Sequence, residues 1–251
     1  MAFDVAAESY DRFMGRYSQQ LADAFAGFGG AEAGRSLDVG CGPGALTTEL
    51  VRRLGPEAVS AVDPSEPFVA AARARHPGVD VRVAPAERLP FADATFDAAL
   101  AQLVVHFISD PVAGLTEMAR VTRPDGVVAA CVWDFAGGRA PISTFWEAAR
   151  QLDEGVTDES KLAGASAGHL VELLAAAGLR DVEEAELVAS SAYVSFDEWW
   201  EPYTLGVGPA GGYAKSLGEP ERAALRDRCR ELLPDAPFTV TAVAWAARGV
   251  A

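Results

Sequence analysis

The stretch SLDVGCGPGALTTEL, Ser36 to Leu50, decides how the rest of the chain is read. Leu37 and Val39 have the apolar character of the end of a buried strand, and Ala45 to Leu54 carries the period of a helix. Gly40, Gly42 and Gly44 lie between them. A strand that enters a helix through alternate glycines can bring its backbone against a ligand, because no Cβ intervenes and left-handed dihedrals carry little penalty. The spacing is G-x-G-x-G, not the G-x-G-x-x-G that leaves a helix N-terminus free for a pyrophosphate. Asp38, two residues before the first glycine, would repel a pyrophosphate and favour a ligand that presents an ammonium or a sulfonium. A second apolar strand, Ala58 to Val62, ends at Asp63, roughly 20 positions further on, where a carboxylate can accept both hydroxyls of a ribose. Turn and strand-tip acid together imply a nucleoside, cationic at one end.

In order along the chain come LDVGCGPG (Leu37 to Gly44), VDPS (Val62 to Ser65), AERLPF (Ala86 to Phe91), FDAALAQ (Phe96 to Gln102) and RVTRPDG (Arg120 to Gly126). On these motifs, which run through about half of it, the chain resembles the class I S-adenosylmethionine-dependent methyltransferases, in particular the small-molecule kind similar to methyltransferase type 11. The resemblance implies an α/β fold: a Rossmann-like, doubly wound, seven-stranded sheet, mostly parallel with an antiparallel last strand, plus a helical cap. It implies S-adenosylmethionine as cofactor and S-adenosylhomocysteine as product. It also implies where the cofactor is held: Asp38, Gly40 and Gly42 at the turn, Asp63 and Pro64 at the second strand tip, Ala86 and Glu87 in the loop that faces adenine, and Gln102 at the exit of the fourth strand. Pro85 stands where such a loop often has Asp. In this family the N-terminal segment folds over the cofactor; Arg16 would pair with its carboxylate, and Tyr10 or Tyr17 would lie near the sulfonium or hydrogen-bond the same carboxylate. Tyr17 fits equally well as an aromatic docking a helix onto the core.

Taken from the start, Phe13, Tyr17, Leu21 and Phe25 recur at four-residue steps over a helical segment from Ala6 to Phe28, with Gly15 suggesting a break. Residues 1–34 are expected as N-terminal lid helices, 35–134 as the cofactor-binding core, 135–178 and 195–235 as helical cap segments, and 179–194 and 236–251 as C-terminal strands, all in a single methyltransferase domain. Phe96 to Gln102 reads as the central fourth strand, and Asp110-Pro111 as the cap and first residue of a helix to Val121. Asp125 replaces the first of the family's paired glycines, at a turn where Asp tolerates the left-handed region. Val127 to Trp133 is expected as the fifth strand and Leu179 to Val188 as the sixth. Ser195 and Glu198 form a capping box, and Gly206 to Gly212 reads as loop. Alternating, β-branched PFTVTAVAWAARG supplies the last strand. His106, just beyond the fourth-strand exit, is the candidate general base, and it is as readily a packing residue. Trp133, Phe145, Trp146, Trp199 and Trp200 are candidates to face an acceptor, or to hold the cap to the sheet.

Composition narrows the function. The chain has 251 residues, half of them apolar, and a formal charge of −15 with no basic block. Binding to DNA or RNA needs clustered phosphate-neutralising Lys and Arg, so nucleic acid is excluded as a partner and a small acceptor is favoured. No run of 18 or more apolar residues suits a membrane, and the acidic start MAFDVAAESYDRF lacks the form of a signal peptide, so a cytoplasmic protein is expected. Cys41, Cys131 and Cys229, like His76, His106 and His169, are too scattered for a disulfide framework or a metal site. Methyl transfer is therefore the expected activity. Two alternatives are a protein that binds S-adenosylmethionine, or cyclises a substrate, without transfer, and a nicotinamide-dependent oxidoreductase. Asp38 and the glycine spacing weigh against the oxidoreductase.

Overall fold

The computed structural model describes residues 7–251, so the first six residues of the expected lid lie outside the described residues. The described chain opens on a short helix α1 (Ala7–Tyr10), a π-helical turn (Asp11–Gly15) and α2 (Arg16–Phe28). Gly15 does not break the helix as expected. A Cβ there would stand 3.3 Å from the Asp11 carboxylate, and the wider π turn carries the helix through that crowded point. Then follow β1 (Ser36–Val39), α3 (Ala45–Leu54), β2 (Val59–Asp63), α4 (Glu66–Arg75), β3 (Asp80–Val83), β4 (Phe96–Gln102), α5 (Pro111–Val121) and β5 (Thr122–Trp133). The last part holds α6 (Ser143–Leu152), α7 (His169–Ala176), β6 (Arg180–Tyr193), α8 (Phe196–Trp200), α9 (Gly208–Ser216), α10 (Glu219–Leu232) and β7 (Phe238–Val250).

Seven strands form one sheet in the order β3-β2-β1-β4-β5-β7-β6. The first five pair with one another in parallel, and β7 runs antiparallel to both β5 and β6. The sheet is covered on both faces, and β1 and β2 are buried at every residue, their Ser and Asp side chains included. On one face Tyr17, Leu21 and Phe25 of α2 pack with Leu46 and Leu50 of α3; on the other Leu115 and Met118 of α5 pack with Leu170 and Leu174 of α7. Asp110 caps α5 through Ala113 N–H at 3.0 Å, and Asp125 takes φ +63°, both as the sequence suggests.

Three elements differ from expectation, the first being β5, which begins at Thr122, five residues before Val127. β6 continues to Tyr193, five residues past Val188, because β7 is long enough to pair with it as far as Phe238. The glycine-rich stretch expected as loop is largely the helix α9. Its small residues are there for contact: a Cβ on Gly211 would lie 2.9 Å from the backbone of Gly206. The turn after β1 points toward the end of the sheet at which β1, β2 and β4 finish, and α6, α8, α9 and α10 gather around an aromatic cluster past the exit of β5.

Candidate active site

A cavity of about 910 Å³ opens at the exits of β1, β2 and β4. Such crevices at the carboxyl ends of parallel strands are where open α/β sheets take their ligands. The turn after β1 forms its floor. Gly40 and Cys41 donate to Val62 O at 2.8 and 2.9 Å, which fastens the turn to β2. Gly42 has φ +52°, and a Cβ on it would meet no protein atom within 4 Å, so the space that a side chain would fill belongs to the cavity.

Two acids flank this bare backbone. Asp63, at the tip of β2, accepts Gly42 N–H through Oδ2 at 2.9 Å and Ser65 N–H through Oδ1 at 2.8 Å. Burial raises its pKa, and the two amides work against that rise. A carboxylate has roughly four acceptor positions, so both oxygens retain capacity for a ligand's hydroxyls. Asp38 is 1% exposed and accepts the Thr47 hydroxyl at 2.6 Å. Burial pushes its pKa up to about 7; the Thr47 hydroxyl opposes the shift and Asp63 adds to it.

Pro64, Ala86, Glu87, Gln102 and Tyr10 also line the cavity, beside Asp38, Gly40, Gly42 and Asp63. Of the expected cofactor residues, then, only Arg16 and Tyr17 do not. Arg16 is spent elsewhere: it pairs with Glu198 at 2.9 Å and lies over the Tyr193 ring at 4.5 Å. Tyr17 turns into the core, where its hydroxyl meets that of Tyr193 at 2.9 Å and its ring meets Trp133 edge-on. Glu87 uses Oε1 to accept Ser109 N–H at 3.1 Å and Asp110 N–H at 3.4 Å, which ties the loop after β3 to the loop after β4. Gln102 donates through Nε2 to Ser18 O at 3.0 Å, and that bond fixes which end of the amide is oxygen. Its Oε1 is buried with no partner among the described residues.

The expected acceptor residues lie elsewhere. His106 is outside the cavity wall, buried against the rings of Phe107 at 3.9 Å and Phe135 at 5.6 Å. Burial pushes its pKa down to about 3, so the imidazole is neutral and a weak base. Trp133, Phe145, Trp146, Trp199 and Trp200 are each no more than 6% exposed and belong to the core that joins cap to sheet. Phe145 stacks on Tyr203 at 4.6 Å, and Trp146 donates to the buried Glu159 at 2.8 Å. Of the two roles open to these side chains, facing an acceptor or holding the cap to the sheet, their burial fits the second. Conversely, Ser18, Phe68, Leu103, Val104 and Phe107 line the cavity and were not singled out. Phe68 lies three residues past VDPS and could have been found there; Ser18 gives no signal beyond its place one turn past Met14.

Residues 37–130 match the methyltransferase domain family model. Malonyl-[acyl-carrier protein] O-methyltransferase of Pseudescherichia vulneris is 35% identical over 148 residues, which are 59% of this chain and 57% of that protein. The chain spans about half the length of the curated relatives it matches. Among solved structures, the YcgJ protein of Bacillus subtilis superposes with a TM-score of 0.59 at 18% identity, covering 92% of this chain and 97% of that one. Residues 37–130, the core of this chain, are thus similar to a methyltransferase domain. The fold is also that of a protein titled by another chemistry: the [4+2]-cyclase SpnF has a TM-score of 0.57 at 22% identity, covering 92% of this chain and 81% of that one.

The cavity fits S-adenosylmethionine. Bare backbone at Gly42 leaves room, Asp63 offers acceptors to a diol, and no Lys, Arg or His lines the wall among the described residues. An acidic wall of this kind suits a sulfonium and an ammonium.

Proposed function

We propose that this protein transfers a methyl group from S-adenosylmethionine to a small, uncharged acceptor by in-line displacement, and that the chain works as one unit in doing so. The observation that carries the reading is the cavity at Gly42 and Asp63, walled by carboxylates and apolar side chains with no Lys, Arg or His among the described residues. The bound cofactor supplies a methyl group already activated by its sulfonium. The remaining work belongs to the protein: alignment, exclusion of water and, where an acceptor needs it, removal of a proton.

Gly40 and Gly42 would hold the cofactor by close backbone approach, Asp63 by accepting from its sugar, and Ala86 in the loop after β3 by facing its base. Pro64 and Tyr10 add wall on either side. Leu46, Phe68, Leu103, Val104 and Phe107 keep water out. Proton removal has little support from the chain. His106 is outside the wall, Asp38 is engaged with Thr47, Asp63 and Glu87 already accept backbone amides, and Glu66, the remaining carboxylate of the wall, lies in the first turn of α4. This favours an acceptor nucleophilic without a base, such as an uncharged amine, over a neutral alcohol. The malonyl relative acts on an acyl-carrier-bound acid, and an anion of that type would find no cationic partner in this wall.

Formation of S-adenosylhomocysteine, followed by mass spectrometry over a matched set of aromatic amines, phenols and carboxylates, tests the reading. Turnover is expected with the amines. Binding of S-adenosylmethionine with no turnover across the set would favour the reading without transfer, and faster turnover of the carboxylates would remove the uncharged acceptor.

A further inference from the structure

The glycine turn has a back as well as a front. Gly40, Cys41, Gly42 and Pro43 face the cavity, but Gly44 does not line it. Gly44 is the left-handed N-cap of α3, at φ +99°, and a Cβ on it would stand 3.0 Å from the ring of His76. His76 ends α4, 32 residues on in sequence, and is 8% exposed. Its Nε2 lies 3.1 Å from Thr48 Oγ1 and 3.3 Å from Gly44 O, and Thr48 Oγ1 donates to Gly44 O at 2.7 Å.

One assignment of protons satisfies all three contacts. The ring carries its proton on Nε2 and donates to Thr48 Oγ1, with Gly44 O as a second, longer acceptor, while the Thr48 hydroxyl donates to Gly44 O. Burial lowers the pKa of His76, the bond to Gly44 opposes that and neighbouring Arg75 adds to it; the donor at Nε2 is present in the neutral tautomer and in the cation alike. The Gly44 carbonyl also accepts Thr48 N–H at 2.9 Å, the first bond of α3. Fixing this one oxygen fixes the peptide that joins the turn to the helix, and with it the direction in which the preceding backbone faces the cavity.

We propose that His76, acting through Thr48 and the Gly44 carbonyl, is a positioning residue that holds the glycine turn in its cofactor-binding conformation from behind. The proposal rests on the assignment of the cavity to S-adenosylmethionine. A turn built from glycines has many conformations to lose on binding, and a brace outside the ligand's reach reduces that loss before the ligand arrives.

The test is the Kd of S-adenosylhomocysteine by calorimetry, with the melting temperature measured alongside. His76→Leu is expected to weaken binding about tenfold, the loss of one hydrogen bond's net contribution. His76→Gln, which keeps an N–H donor near the position of Nε2, is expected to restore binding to within about threefold. Thr48→Val should weaken binding as His76→Leu does, and the double variant should be little worse than either alone, since both act at one contact. Thr48→Val also carries the test should His76→Leu not fold. A lowered melting temperature with unchanged Kd in both single variants overturns the brace and leaves a packing residue. Equal weakening by Gln and Leu overturns the donor. A wild-type chain that binds no S-adenosylhomocysteine overturns the cofactor assignment and the brace together, whereas either of the other results leaves the cofactor assignment standing.

Discussion

Two places on the same edge of one sheet have opposite characters. At the exits of β1, β2 and β4 the chain presents glycine, proline and short polar residues, and a cavity remains. Past the exit of β5 it presents Trp133, which packs in one buried cluster with Tyr17, Phe145, Trp146, Trp200 and Tyr203, and the cleft beside Tyr17 and Tyr203 holds only about 10 Å³. Both places are strand ends, so topology alone does not make a site. What differs is side-chain volume: backbone without Cβ cannot fill space, and aromatics of 150–250 Å² each, by rough count, fill it and bind the cap to the core.

The largest expected effects are reciprocal. Gly42→Val places a branched side chain in the cavity at φ +52°, and loss of measurable S-adenosylhomocysteine binding is expected, by calorimetry, with the fold kept by circular dichroism. Phe145→Ala, in the closed region, should cost about 3–5 kcal/mol of stability by urea unfolding and leave the Kd near that of the wild type. A Phe145→Ala chain that folds as well as the wild type but binds the cofactor weakly would reverse the comparison, and put the ligand under the cap.

Asp63→Ala sharpens the open side. Loss of charged hydrogen bonds to the sugar is expected to cost about 1–3 kcal/mol of cofactor affinity. The structure adds a second route to that loss, since Gly42 N–H and Ser65 N–H lose their acceptor as well. Asp63→Asn separates the two, because one amide oxygen can still accept a single backbone N–H. Calorimetry with unchanged affinity in Asp63→Ala would remove the sugar contact.

The two regions also differ in how far the sequence discloses them. Gly40, Gly42 and Asp63 were legible because their roles depend on local backbone geometry: strand, turn, helix, and an acid at the next strand tip. The sheet followed for the same reason, as did the helix from Pro111 to Val121 with its Asp110 cap. Tyr17, Arg16 and the cap tryptophans were not legible, because a helix face gives the period of burial and not the partner. Arg16 reaches Glu198, 182 residues away, and Tyr17 reaches Tyr193, 176 residues away. His106 was placed near the site on its distance along the chain, yet three residues after a strand exit suffice for a 3-10 turn (Val105–Phe107) to direct it inward. The stretch Gly206–Gly212 misled in another way, since glycine signals a loop and also permits close helix packing.

The smallest effect separates two buried carboxyls, one in each region, that burial raises to about 7: Asp38 beneath the turn and Glu159 beneath Trp146. Both have folded pKa values above those of the unfolded chain. The folded state therefore binds the extra protons between about pH 4 and 7, and stability falls as pH rises through that window. Their responses to ligand should diverge. A cationic ligand favours the charged form of Asp38, so S-adenosylmethionine should bind more tightly as pH goes from 6 to 8, by on the order of 1 kcal/mol. Asp38→Asn should remove that slope. Glu159→Gln keeps an acceptor for Trp146 Nε1, so it should leave the binding slope intact and instead gain on the order of 1 kcal/mol of stability at pH 8 by urea unfolding. A binding slope that survives Asp38→Asn and vanishes in Glu159→Gln would mean that the closed region, not the open one, senses the cation.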